Sequence, residues 1–324
     1  MSRKMVSLAA AVVWAAGASF AAPIYNFTTF DGAGDNGGGT TVNGVSNTGA
    51  IAGFSSNANM TVLTNFVRNS NGTFTTLNIE NDPLANANGI NSNGTVVGTT
   101  NGLAFSQTAG LTFLLPAVVA GDTASETAFG INDGSTIVGQ FVRNSTDTTP
   151  GFVYSGGQFT ILNPVANAVV TNAQGVNNAG MVTGFFSTDG EHQHGFFYDT
   201  ANGQYVLAPD PVQPNLFLTQ FLGINDNGLA VGYWQDNGGS QHGFLYNINS
   251  QSYTFLDDPN AGVQNGVEIT QITGINDQNE IVGFYVDGTG TQRGFYATTA
   301  TPEPASLGMI GLGLVGLWWR RKRG

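Results

Sequence analysis

Cysteine is absent from all 324 residues, which excludes disulfides, thiolate metal ligands and a thiol nucleophile. Positive charge is nearly absent from the body as well. Of nine lysines and arginines, Arg3 and Lys4 stand at one end and Arg320, Arg321, Lys322 and Arg323 at the other, leaving Arg68, Arg143 and Arg293 between them. Against 21 acidic residues the net charge is −12. Such a surface is repelled by phosphate and has no basic patch, so nucleic acid is excluded as a partner. Charged residues of both signs make up only 9% of the chain, and long apolar runs are confined to its two ends.

What the chain has is glycine, 46 residues, and phenylalanine, 22, in a composition that is 41% hydrophobic. That content is too apolar for disorder and suits short aromatic strands separated by turns. The strands come in a repeat. Residues 274–283 read GINDQNEIVG, and related decamers start at Gly44, Gly89, Gly130, Gly175 and Gly223, at spacings of 45, 41, 45, 48 and 51 residues. Spacing of this size denotes one supersecondary unit per copy. Within the decamer an aliphatic residue, then Asn with Asp, Asn, Ser or Gly, then an apolar pair closing on Gly predicts a β-hairpin. The leading Asn91, Asn132, Asn177, Asn225 and Asn276 are expected to bond local backbone and fix the hairpin register, with Ser46 a weaker substitute in the first copy.

Two more strands follow each hairpin. One is aromatic, around Phe66, Phe105, Phe152, Phe196, Phe244 and Phe295; the other has the form Phe/Tyr-Thr-x-aliphatic, as at Phe74, Phe159 and Tyr253. The sixth copy lacks this last strand. It occurs instead at the start of the body, as Phe27-Thr28-Thr29-Phe30-Asp31. The strands balance only if the N-terminal one completes the last unit, so the expected architecture is an all-β, six-bladed propeller over residues 22–300, with four-stranded blades and the N-terminal strand as clasp.

The chemistry in this body is sparse. His192, His194 and His242 offer three nitrogens, but His194 and His242 occupy one slot of adjacent repeats, so they are expected to be strand-end residues, with no metal and no cofactor. Asn225-Asp226-Asn227-Gly228 lacks the alternating carboxylates of a calcium loop, so Asp226, Asp133 and Asp277 are expected to be turn residues. Glu80, Glu126 and Glu268 fall in connections preceding hairpins, all on one face of a closed ring. They are the candidate channel-mouth carboxylates for a polysaccharide hydrolase or lyase. Their distances from the next hairpin differ, which favours solvated loop charges, and no other catalytic constellation is present.

The two ends are addresses. Arg3-Lys4, an apolar run from Met5 to Phe20, and small residues with Ser19 and Ala21 at the cleavage positions predict a signal peptide over residues 1–21. Residues 301–324 hold Pro302-Glu303-Pro304, an apolar run from Ala305 to Trp319 and the basic cluster Arg320, Arg321, Lys322, Arg323. As a helix the run reaches about 22 Å, short of the roughly 30 Å hydrocarbon core, and cationic residues after it stay on the cytoplasmic side. This tripartite tail resembles the PEP-CTERM sorting signal of Gram-negative bacteria. The resemblance implies recognition of Pro302, Glu303 and Pro304 by an exosortase, transient anchoring in the inner membrane, and association with exopolysaccharide or biofilm matrix. His194-Gly195-Phe196 and His242-Gly243-Phe244 further resemble the HAF extracellular repeat family, with Gly for Ala; this implies a surface propeller and no reaction. The expected function is that of an exported, non-enzymatic binding or structural protein that meets exopolysaccharide or surface proteins, the glycan hydrolase or lyase being the alternative.

Overall fold

The computed structural model describes residues 25–300 apart from Asp147. The expected signal peptide, Pro302-Glu303-Pro304, the apolar run and the basic cluster lie outside the described residues. Within them the chain makes 24 strands. Strand β1 (Tyr25–Phe30) comes first. Blade 1 follows as β2 (Gly37–Val45), β3 (Ile51–Asn57), β4 (Leu63–Arg68) and β5 (Phe74–Leu77), and blade 2 as β6 (Asn86–Ile90), β7 (Val96–Thr100), β8 (Leu103–Thr108) and β9 (Leu111–Leu114). Blade 3 holds β10 (Thr123–Ile131), β11 (Ile137–Arg143), β12 (Gly151–Ser155) and β13 (Gln158–Leu162). Blade 4 holds β14 (Val170–Val176), β15 (Met181–Ser187), β16 (His194–Asp199) and β17 (Gln204–Leu207). Blade 5 holds β18 (Leu216–Ile224), β19 (Leu229–Asp236), β20 (Gln241–Asn247) and β21 (Ser252–Phe255); β22 (Thr270–Ile275), β23 (Ile281–Val286) and β24 (Gln292–Thr299) begin blade 6.

The sixth sheet has the order β1-β24-β23-β22, so the clasp expected from the strand count closes the ring. Thr28 pairs with Tyr296 and Thr29 with Phe295. Closure removes the free edges that an open array of sheets would present. Among the described residues no helix is long and apolar enough to cross a membrane.

Each decamer builds its hairpin as its residues dictate. In the sixth, Asn276 N–H donates to the Glu280 carbonyl at 3.1 Å and Asn279 N–H returns to the Asn276 carbonyl at 3.0 Å, and the same pair of bonds recurs in all six copies. The fourth turn residue takes a left-handed φ, which is why four copies place Gly there, with Ser135 and Asn279 in the other two.

The decamer's two glycines serve packing. Its last glycine faces the aromatic of the third strand, as in Gly139 opposite Phe152 and Gly232 opposite Phe244. A Cβ on Gly139 would lie 2.7 Å from the Phe152 ring. All six such rings, Phe66, Phe105, Phe152, Phe196, Phe244 and Phe295, are 0% exposed. The first glycine sits on the inner strand directly after a register shift present in every blade. Here neighbouring inner strands touch backbone to backbone: a Cβ on Gly175 would lie 3.0 Å from the Gly223 Cα, and one on Gly130 2.5 Å from the Gln174 carbonyl oxygen. Six glycines thereby set how narrow the axis is.

Candidate functional site: the central channel and its mouths

At the hairpin-turn end the channel is bordered by the fourth decamer residue of all six blades, Asp133, Asp226 and Asp277 among them, and by the third residue of the first five. These carboxylates, which the sequence presents as local turn residues, belong to a ring. Asp133 Oδ1 accepts the Ser92 N–H at 2.7 Å, Asn178 Oδ1 accepts the Asp133 N–H at 2.9 Å, Asp226 Oδ1 accepts the Asn178 N–H at 2.8 Å, Asp277 Oδ1 accepts the Asp226 N–H at 2.8 Å, and Asn47 Oδ1 accepts the Asp277 N–H at 2.8 Å. A second ring lies beside it. The leading asparagines keep their expected local role, as where Asn132 Oδ1 accepts the Thr136 N–H, while their Nδ2 groups donate to the next blade: Asn91 to Asn132, Asn132 to Asn177, Asn177 to Asn225, Asn225 to Asn276 and Asn276 to the Ser46 carbonyl.

Both rings are open at the same place. Between blades 1 and 2 the hydroxyl of Ser46 turns to Thr48 instead, and no bond joins Ser92 to the Asn47 N–H among the described residues. Ser46→Asn supplies the missing amide, and one added inter-blade bond is expected to raise unfolding free energy by about 1 kcal/mol. Chemical denaturation of the two proteins side by side checks this; an unchanged midpoint would place the break elsewhere.

The opposite mouth is different in kind. A cavity of about 190 Å³ is lined by Asn43, Asn88, Gln174, Gln220 and Gln271 with Phe129, Leu222, Thr273 and Phe284, and contains no ionisable side chain. Six of these, Asn43, Asn88, Phe129, Gln174, Leu222 and Thr273, are the residues skipped at the register shifts, so the bulges aim them at the axis. Gln220 and Gln271 extend the mouth outward, Gln220 donating to Gln193 and Gln271 to Gln241 at 2.7 Å. No motif in the decamer announces this ring of amides, because the bulged position varies from copy to copy.

The three glutamates do not assemble there. Glu80 is exposed in a turn after β5 with φ 51°, and Glu268 is half-buried in the connection before β22. Glu126 is no loop charge: it lies inside β10 at 1% exposure, in a slot that is Thr40, Thr171, Thr219 and Thr270 in four other blades. None of the three lines the channel. Neither Glu126 carboxylate oxygen has a hydrogen-bond partner of good geometry, and burial pushes its pKa up to about 7, with the nearby Val118 amide pulling slightly the other way.

The histidines stand on the rim of the same face, each with its own carboxylate. His194 Nδ1 lies 2.8 Å from Asp210, His242 Nδ1 2.8 Å from Asp257, and His192 Nδ1 2.7 Å from Asp189. Arg293, in the matching slot of blade 6, meets Asp31 at 2.7 Å and Asp287 at 3.1 Å. The slot is thus a base at the start of the third strand joined to an acid beyond the fourth. His242 also stacks on Trp234, at 4.6 Å between centroids. Hydrogen bonds from Thr289, and the Arg293 guanidinium with them, hold Asp287 well below the usual carboxylate range. Among the described residues no group of three acids and histidines is placed to hold a metal ion.

Comparison with known proteins agrees with this division between body and tail. Residues 300–322 match the PEP-CTERM protein-sorting motif. That motif indicates a protein that is exported, held transiently in the membrane by its C-terminus and processed by an exosortase. No curated protein matches the chain. Solved structures similar to it include the β-propeller domain of the Trilobed protease from Pyrococcus furiosus, with 13% identity, a TM-score of 0.45 and 82% of each chain covered. Another is the six-bladed fungal lectin of Aleuria aurantia, with 10% identity, a TM-score of 0.40, and 82% of this chain and 97% of that one covered. A third is an oligogalacturonate lyase from Vibrio parahaemolyticus, with 12% identity, a TM-score of 0.43, and coverage of 87% and 99%. These likenesses concern the backbone fold, which the strand pairing establishes independently.

Proposed function

We propose that this propeller is a non-catalytic binding protein of the cell surface or extracellular matrix, sorted there through Pro302-Glu303-Pro304 and holding neutral polysaccharide at the amide-lined mouth of its channel. The observation that carries the reading is the convergence of Asn43, Asn88, Gln174, Gln220 and Gln271 with Phe129 and Phe284 in one uncharged cavity. Amides offer both donors and acceptors to hydroxyl groups without the desolvation cost of an ion, and aromatic faces suit the CH-rich faces of sugar rings. The paired bases and acids of the rim, His194 with Asp210 and His242 with Asp257, support reading the body as a HAF-type extracellular repeat, the slot serving the blade rather than a reaction. A glycoside hydrolase of the usual kind needs two carboxylates facing each other across the bound sugar. Glu80, Glu126 and Glu268 do not provide that pair.

Pull-down of the purified protein on its host's exopolysaccharide is expected to show retention without release of reducing ends. Gln220→Ala with Gln271→Ala is expected to weaken retention by about tenfold; each change also removes one inter-blade hydrogen bond, worth about 1 kcal/mol, so circular dichroism at the assay temperature checks that the variant is folded. Chain cleavage by the wild type would overturn the reading. Intact-mass analysis of the extracellular protein tests the sorting half, with a product lacking Trp318 and Trp319 as the expected result.

A further inference from the structure

At one register position the outermost strand carries an aromatic residue in five of six blades: Phe27 opposite Ala297, Phe74 opposite Arg68, Phe159 opposite Tyr154, Tyr205 opposite Tyr198, and Tyr253 opposite Tyr246. Three of these visibly reach the preceding blade. Tyr205 Oη accepts the Asn163 N–H at 3.0 Å, Tyr253 Oη donates to the Pro209 carbonyl at 2.7 Å, and Phe74 packs 6.2 Å from Phe30. They fill the outer part of the space between blades. Blade 2 has no such filler: the same position is Thr112, opposite Gln107.

The space left open is the one between blades 1 and 2, where both hydrogen-bonded rings are also broken. The hydrophobic cluster at this junction mixes small residues, Ala52, Ala85 and Ala87, with Ile79, Ile90, Val96 and Phe105, where the junction of blades 4 and 5 has Phe197, Phe221 and Tyr246. A cavity of about 520 Å³ results, within the size range of small-molecule sites. Val67, Leu77 and Ile90 supply apolar wall; Thr75, Asn93 and Gln107 supply hydrogen-bonding groups; no charged side chain borders it. Gln107 spends its Nε2 on the Asn78 carbonyl and Thr112, and Asn93 spends its Nδ2 on the Asp133 carbonyl, so the carbonyl oxygen of each is unused among the described residues.

Three independent departures from the repeat coincide at one junction: the lost aromatic, Ser46 and Ser92. From this we infer that the groove between blades 1 and 2 is a second binding site, separate from the channel mouth, and that it takes one neutral pyranose unit with an apolar edge, such as a 6-deoxyhexose. Uncharged donors and acceptors match hydroxyls, aliphatic wall matches a methyl-bearing edge, and the acidic body disfavours uronates.

Saturation-transfer NMR and calorimetric titration of the purified protein with methyl α-L-rhamnopyranoside, methyl α-D-glucopyranoside and methyl α-D-glucuronopyranoside test this. The 6-deoxy glycoside is expected to bind best and the glucuronoside not at all. Q107Y with T112F, the pair found in blade 3, fills the groove; it is expected to weaken binding by about tenfold or more and to raise Tm. T75V, exposed and nearly isosteric, is expected to weaken binding about fivefold through one lost hydrogen bond without changing Tm, and it decides the matter should the double variant not fold. Loss of the channel amides Gln220 and Gln271 is expected to leave glycoside binding intact, so failure of the channel reading and failure of this one are distinct results. Absence of binding by the wild type, equal binding of the glucuronoside, or undiminished binding by both groove variants would each overturn the proposal.

Discussion

Gly130→Val is expected to stop the ring from closing. The inner strands of blades 3 and 4 approach until a Cβ at residue 130 would lie 2.5 Å from the Gln174 carbonyl oxygen and 3.0 Å from the Val138 side chain. Neither neighbour is free to withdraw: Gln174 is the bulged residue of its own inner strand, and Val138 is 0% exposed in the core. The clash is met by backbone in a structure whose closure couples every blade to the next, so relief in one gap is compression in another. A loss of about 4 kcal/mol or more follows, the range reserved for overpacking and strain at special positions, and a domain of ordinary stability would not tolerate it. Gly134→Ala is the control. Gly134 is exposed in the adjacent turn, its φ is not positive, and nothing lies closer than 3.4 Å to an added Cβ. Its effect is expected to stay within about 0.5 kcal/mol. Urea denaturation of both variants reads the contrast; a Gly130→Val protein with a wild-type midpoint would mean that the axis is wider than the six glycines make it.

The second large effect is a pH dependence centred on Glu126. Burial without a hydrogen-bond partner disfavours its ionised form and raises its pKa from the ordinary 4.5 to about 7. A group that holds its proton more tightly folded than unfolded stabilises the fold fully below the unfolded pKa, and that contribution drains away as pH rises through the folded one. The interval from 4.5 to about 7, at about 1.4 kcal/mol per pH unit, gives about 3.5 kcal/mol at most lost between those limits. Asp258, also buried and with one oxygen unpartnered, has its pKa raised by the same cause and adds loss of the same sign. Glu126→Thr installs the residue that four other blades use in this slot. Stability measured by denaturation from pH 4.5 to 8 is therefore expected to fall less steeply in the variant, which becomes the more stable protein above pH 7. The difference between the two curves cancels every titrating group they share, including the rim histidines. Parallel curves would show that Glu126 is ionised in the fold.

Much of this molecule is legible in one strand of text. The decamer announces its hairpin because Asn, Asp and Gly accept the left-handed turn residue, a property of two or three adjacent amino acids. Counting strands is equally local, and the Phe27–Phe30 segment, surplus at one end and wanting at the other, is enough to close the ring. Glu126 shows where such reading ends. Its distance from the next hairpin differs from those of Glu80 and Glu268, which marks it as out of step with them, yet nothing in its neighbourhood says that the slot is sealed; that follows from the blade laid over it.

The sequence alone determined the C-terminal sorting motif, the six units, their four strands and the clasp, since each is written in adjacent residues or in a count. Tertiary structure decided everything that depends on which blade stands beside which: Asn132 reaching the carbonyl of Asn177, Asp133 fastening Ser92, five amides gathering at one mouth, and a gap where Thr112 meets blade 1. The reason is geometric. Residues 40 to 50 positions apart are brought within about 3 Å only by the curvature of a closed ring, and no period in the text measures that curvature.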